Sequence, residues 1–212
     1  MNSIFAEKPR IDNDRCALAA TIDEFCGFRT DHSLRVALLV DSLASASNLA
    51  ERDRQYLKES ALLRDIGEMA MRREYIMSPR GLTMNERIDL ERHPVIGERE
   101  AAKLGVSRAV QLMIRWHHEW WNGSGYPDGL ASEQIPLAAR ILRVADTYMA
   151  MTSPRPFRGP VLHDDAVRYL REWAGIEFDP QIVMYFLSLN FDSSENAVNT
   201  AGDGDEVDFS LI

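Results

Sequence analysis

An all-α fold is predicted by two features of this sequence. Between about residues 12 and 190 apolar residues recur at helical spacing and almost nowhere alternate as strand residues do. Helix start and stop signals also stand where those stripes begin and end.

The elements follow in order. Val36, Leu39, Val40 and Leu43 form one apolar stripe, and Leu57, Ala61, Leu62 and Ile66 form another. Thr83 and Glu86 have capping-box spacing, opening a helix that ends at His93-Pro94. A further helix stops near Gly105. Val110, Met113, Ile114 and His117 mark the next, and Pro136 begins one running to about Ser153. Asp179-Pro180 is a cap followed by a first-turn proline, opening the last helix. One long stretch is rich in turn residues: Asn122 to Glu133, NGSGYPDGLASE, directly after a His-His pair.

The chain of 212 residues is long enough for one domain with a full core. Its 45% hydrophobic and 27% charged residues are those of a water-soluble globular protein. No apolar run reaches membrane-span length and no signal-peptide pattern opens the chain, so a cytoplasmic protein is expected. Cys16 and Cys26 lack metal-type or redox-type spacing and are read as reduced thiols. The net charge of -9 argues against nucleic-acid polymers as partners. Much of it lies in the tail, where Asp192, Glu195, Asp203, Asp205, Glu206 and Asp208 meet no Lys or Arg. The rest is nearly balanced, so an anionic small molecule remains open. The expected organisation is an N-terminal extension or helix over 1–22, a folded domain over 23–190 and a disordered acidic tail over 191–212.

Chemistry is suggested by polar residues that interrupt the apolar faces. His32 is in register with Val36, Leu39 and Leu43; Asp65 with Ala61, Leu62 and Met69. His117 follows Val110, Met113 and Ile114, with His118 beside it, and Asp146 lies among Leu142, Ala145 and Met149. Burying such a group unpaired costs roughly 2–7 kcal/mol. Any one alone would be an ordinary satisfied core residue, but together they suggest a shared polar centre inside a bundle. Imidazole and carboxylate ligands suit iron, manganese or zinc. Two such ions bridged by a carboxylate would activate a water and clamp a phosphodiester.

The string HHEWWNGSGYPDGL resembles the HHExxDGxGYP signature of the HD-GYP proteins, a branch of the HD phosphohydrolase superfamily. HSLRVA from His32, LLRDIGE from Leu62, RHPVIG from Arg92 and RVADTYMAMTSPRPFR from Arg143 follow that family's order, over roughly Asp23 to Leu189. The resemblance implies an HD-domain helical bundle and a role in hydrolysing the bacterial second messenger cyclic di-GMP at a metal centre. It implies metal ligands at His32, Asp65, His93, His117, His118 and Asp146, with Asp65 bridging and catalytic. It also implies ligand contacts from Arg155 and Arg158. Gly125, Tyr126 and Pro127 match the GYP triplet, linked in the family to loop shape and to GGDEF-type cyclase partners. His163 falls on no ligand position and is read as a surface residue.

The sequence departs from the pattern at several of these places. The family's H-D pair is Arg64-Asp65, the Lys expected three residues on is Glu68, and the Asp of the GYP string is Asn122. The Asp expected three residues after Asp146, used near the guanine, is Met149. Phe28 stands where trinuclear members carry a Glu, which removes a ligand for a third ion. A guanidinium 4 Å from a divalent ion would repel it by about 8 kcal/mol at an effective dielectric of 20. Arg64 and Glu68, four apart on one helix, are expected to pair, with Arg64 in an ion's place between Asp65, Glu68 and Asp146. The centre is then expected to hold one or two ions (iron, manganese or zinc) or none. Three functions follow: a weakened cyclic di-GMP phosphodiesterase, a non-catalytic nucleotide- or protein-binding module, and a hydrolase of another phosphate ester. Trp116, Trp120 and Trp121 could stack a base or pack the loop, and packing is the reading for Trp116.

Overall fold

The computed structural model describes residues 12–29, 31–155 and 158–189. The expected acidic tail and residues 1–11 of the N-terminal extension lie outside the described residues. Ten α-helices and no β-strands occur among the described residues, so the all-α expectation holds.

Helices α1 (Asn13–Phe25), α2 (His32–Ala46) and α3 (Glu51–Leu63) pack against one another and bury Ile22, Val36, Val40, Leu43, Leu57 and Leu63. The α3 stripe does not run on as one helix. The backbone leaves helical geometry at Asp65, and a separate short helix, α4 (Ile66–Met71), ends with Arg72 in the left-handed region. A 3-10 turn at Glu74–Met77 leads to α5 (Met84–Leu90), whose capping box is present as expected: Thr83 accepts from the Glu86 N–H, and Glu86 accepts from the Thr83 N–H.

The chain then turns at His93 into α6 (His93–Lys103), with Pro94 in its first turn, and into α7 (Arg108–Trp116), capped by Ser107. The α4 and α6 backbones approach closely because Gly67 and Gly97 face each other. A Cβ on Gly67 would lie 2.0 Å from the His93 carbonyl oxygen. The central helix α8 (Leu137–Thr152) is buried on almost every side by α2, α3, α7 and α9 (His163–Glu172). The last helix, α10 (Pro180–Ser188), is capped by the Asp179 carboxylate, which accepts from the Gln181 N–H at 2.8 Å. Met149, one of the altered positions, is an ordinary core residue of α8.

His163 is not a free surface residue. It opens α9 half-buried, with its Nδ1 2.8 Å from the Tyr148 hydroxyl.

Candidate metal centre

The residues singled out in the sequence gather where α2, the α3–α4 break, α6, the end of α7 and α8 meet. His32 is the first residue of α2, His93 the first of α6, and His117 caps α7. Asp146 projects from the middle of α8. Helix ends and the break at Asp65 bring His32, Asp65, His93 and His117 inward, and Asp146 alone of these interrupts a buried stripe in mid-helix.

Arg64 occupies the first part of this centre and is 1% exposed. Its Nε donates to Asp146 Oδ1 at 2.5 Å, Nη2 lies 3.0 Å from Asp65 Oδ2, and Nη1 donates to Ser33 Oγ and the Ala61 carbonyl. Ser33 Oγ in turn donates to the buried Asp23. The expectation that Arg64 sits between the carboxylates is met for Asp65 and Asp146. Glu68 is not among its hydrogen-bond or ion-pair partners. The helix breaks at residues 64–65, so the two side chains do not share one helix face.

His32, placed as a ligand of this same part, stacks on Phe28 with ring centroids 3.7 Å apart and planes 2° from parallel. Its Nδ1 lies 3.1 Å from Ser153 Oγ, and its Nε2 is buried without a hydrogen-bond partner. The Arg155 guanidinium also lies over the Phe28 ring, 4.1 Å from its centroid.

The second part is built differently. His93 Nδ1 lies 2.9 Å from the Leu90 carbonyl oxygen and His117 Nδ1 2.7 Å from that of Ile114. A carbonyl only accepts, so each Nδ1 carries the ring proton and each neutral Nε2 presents a lone pair. Those two Nε2 atoms face each other at 3.4 Å, and His117 Nε2 is 4.0 Å from Asp65 Oδ1. Two ligands about 2.1 Å from one tetrahedral ion would lie about 3.4 Å apart. Asp65, Glu68 and His93 bring ligand atoms within 4.8 Å of one another, as do His93, His117 and His118. The donor set and the facing lone pairs fit a divalent cation.

The electrostatics point the same way. Burial, reinforced by His93, lowers the His117 pKa to about 3, and burial also lowers those of His32, His93 and His118. All four imidazoles are therefore neutral near pH 7. Burial raises the Asp146 carboxyl, but Arg64 outweighs it and holds Asp146 low. Burial and the neighbouring Glu68, Asp146 and Asp23 raise Asp65 against the pull of Arg64. A carboxyl crowded by other carboxyls stands where an added positive charge would be most stabilised.

Sequence reasoning missed the partners of His118. Arg143 Nη1 donates to His118 Nδ1 at 2.8 Å, and Nη2 donates to Glu177 Oε1 at 2.6 Å. Glu177 also accepts from Thr147 and Tyr169. The available signal was Arg143 itself, flanked by Leu142, Val144 and Ala145 in an apolar stretch, because arginine is seldom interior without a carboxylate.

The GYP loop closes over the His pair. Tyr126 stacks on His118 with ring centroids 4.8 Å apart, and its N–H donates to the His118 carbonyl. Gly125 permits this approach, since a Cβ there would lie 2.2 Å from the Trp120 nitrogen. Pro127 follows in a cis peptide. The Glu119 carboxylate accepts from the Asp128 and Leu130 N–H groups, and Asn122 Oδ1 accepts from Ser124. The tryptophans anchor the loop: Trp116 Nε1 donates to Asp128, Trp120 meets Trp173 edge-on, and Trp121 lies under Arg140.

Residues 8–182 match the family model described as HD domain. Among curated proteins, the chain is 37% identical over 152 residues to a cyclic di-GMP phosphodiesterase response regulator of Xanthomonas campestris, covering 70% of this chain and 40% of that protein. It is 38% identical over 157 residues to a cyclic di-GMP phosphodiesterase of Pseudomonas aeruginosa, covering 74% and 38%. A 3'3'-cGAMP-specific phosphodiesterase of Vibrio cholerae is 30% identical over 165 residues, covering 78% and 36%. The chain thus spans less than half the length of these relatives. Two solved structures share the fold. A cyclic GMP-AMP phosphodiesterase of V. cholerae has a TM-score of 0.62 at 19% identity, covering 86% of this chain and 49% of that one. A Bdellovibrio bacteriovorus protein described as HDG"Y"P has a TM-score of 0.60 at 21% identity, covering 73% and 49%. No helix among the described residues is long and apolar enough to cross a membrane. By its family match, its helical architecture and the order of its motifs, this chain belongs to the HD domain family and to the HD-GYP branch within it.

Proposed function

We propose that this chain serves cyclic-dinucleotide signalling, with cyclic di-GMP as its first candidate ligand, and that its phosphodiester hydrolysis is weak or lost. The observation that carries this reading is Arg64, whose guanidinium fills the space between Asp65 and Asp146 that a second ion would need. A divalent ion held by the remaining ligands would supply Lewis acidity and an activated water, without the two-ion clamp.

The ligand-facing side is better preserved. Arg155 and Arg158 exchange backbone hydrogen bonds, and neither guanidinium meets a carboxylate among the described residues. Burial and the neighbouring Arg155 lower the Arg158 pKa. Two adjacent guanidiniums without acidic partners favour a phosphate anion over any neutral ligand. Met149, where the family carries an Asp near the guanine, supports relaxed base selectivity, so 3'3'-cGAMP belongs in the same test. The GYP loop, anchored on His118 by Tyr126, is the proposed contact for a GGDEF-type partner.

Calorimetry with cyclic di-GMP and 3'3'-cGAMP, alongside a turnover assay in manganese or iron, tests the reading. Binding that Arg155→Ala and Arg158→Ala weaken, with turnover slower than in Arg64→His, is the expected result. A folded chain that neither binds nor hydrolyses either nucleotide overturns it.

A further inference from the structure

We propose that residues 206–212 of this chain, EVDFSLI, dock as an extended segment in the groove between α9 and α10. Val207, Phe209 and Leu211 would lie on its apolar floor, with Glu206 and Asp208 beside Arg168 and Arg171. The surface thus takes an acidic peptide with alternating apolar residues, and needs neither metal nor nucleotide.

The groove has a volume of about 450 Å³ and lies on helices that supply none of the candidate metal ligands. Its floor is Val167, Phe186, Leu187 and Leu189, and Leu187 is 37% exposed there. Arg168 and Arg171 stand one turn apart on the α9 wall, with Asp164 a turn nearer the helix start. Arg171 meets no carboxylate among the described residues, while Arg168 pairs with Asp165 at 2.7 Å on the exposed surface. Such a surface pair contributes little and is readily exchanged. The α10 wall carries no charged residue at all.

Continuity and charge select the occupant. Leu189, the last described residue before the tail, itself lines the groove. Beyond it come six acids and no Lys or Arg. From Glu206 to Leu211 polar and apolar residues alternate, so an extended segment has one apolar face and one acidic face. Val207 to Leu211 would span about 14 Å as a strand, against about 12 Å from His163 to Arg171 along α9. The apolar face then covers Val167, Leu187 and Leu189, and the long arginine stems reach up to the acids.

The connection favours the same chain over a separate partner. Residues 192–205, DSSENAVNTAGDGD, are a polar spacer whose span is about 20 Å, longer than the groove. A tether of this kind sets an effective concentration of about 1 mM, so a contact of about 0.1 mM on its own would be occupied about ten to one.

Backbone amide NMR of the full chain, recorded at two protein concentrations, tests the docking. Residues 206–212 should have order parameters above about 0.6 in wild type. They should fall below that value in Phe209→Ser, which leaves the core sequence untouched. The same fall is expected in the double variant Arg168→Glu with Arg171→Glu, at two exposed positions. Amides of residues 163–171 and 186–189 should shift between wild type and Phe209→Ser. Wild-type order parameters below about 0.6, groove amides unmoved by Phe209→Ser, or a tail unchanged in the double variant each overturns the proposal. Groove shifts that grow with concentration, alongside a doubled mass in light scattering, would assign the groove to the tail of a second copy and overturn docking within one chain.

Discussion

The Arg64 guanidinium meets the Asp146 carboxylate across the centre of the bundle, Nε to Oδ1 at 2.5 Å, joining the end of α3 to the middle of α8. The same group holds Asp65 and, through Ser33, is linked to Asp23. Four side chains that water would otherwise have to solvate are thus satisfied around one buried cation.

Arg64→Ala should therefore cost about 3–5 kcal/mol, because it leaves Asp65 and Asp146 buried without their positive partner. Urea denaturation in the presence of chelator measures it. An unchanged midpoint would mean that the carboxylates do not depend on Arg64.

Metal should stabilise the fold. A divalent ion at a hundred times its dissociation constant adds about 2.7 kcal/mol, which for a domain of this size raises Tm by about 5–10 °C. Thermal melts with manganese or zinc, then with excess EDTA, should show the rise and its reversal.

Gly67→Ala should be more damaging than Gly97→Ala. The new Cβ at residue 67 would strike the His93 carbonyl at 2.0 Å, whereas at residue 97 its nearest neighbour is the Ile114 side chain at 3.0 Å. Overpacking of this kind costs about 1–3 kcal/mol, and at residue 67 it displaces the start of α6 and with it His93. Melting temperature and metal content of the two variants, compared side by side, should separate them.

Glu119→Gln should loosen the GYP loop. The carboxylate accepts from two loop N–H groups, at 2.7 Å and 2.9 Å, and an amide can satisfy only one of them. Loss of a charged acceptor costs about 1.5–3 kcal/mol. Limited proteolysis should cut between residues 122 and 131 faster than in wild type, and equal rates would assign the anchoring to Asp128 and the tryptophans.

The sequence by itself determined the all-α class and most helix starts, because apolar spacing and capping residues act within a few residues of chain. Thr83 with Glu86, Ser107, Pro94 and Asp179 all stand at helix starts. It also determined which polar side chains could enter the interior, since His32, Asp65, His117 and Asp146 lie on apolar stripes, while His93 was marked only by the family resemblance. The tertiary structure decided what those side chains touch. Arg64 and Glu68 read as neighbours on a continuous helix, yet the break at residues 64–65 turns one toward Asp146 and the other toward His93. The hold of Arg143 on His118 and Glu177 joins residues 25 and 34 positions away from it. No local propensity encodes such contacts: they arise when buried charges from separate helices must find partners in the one space that packing leaves them.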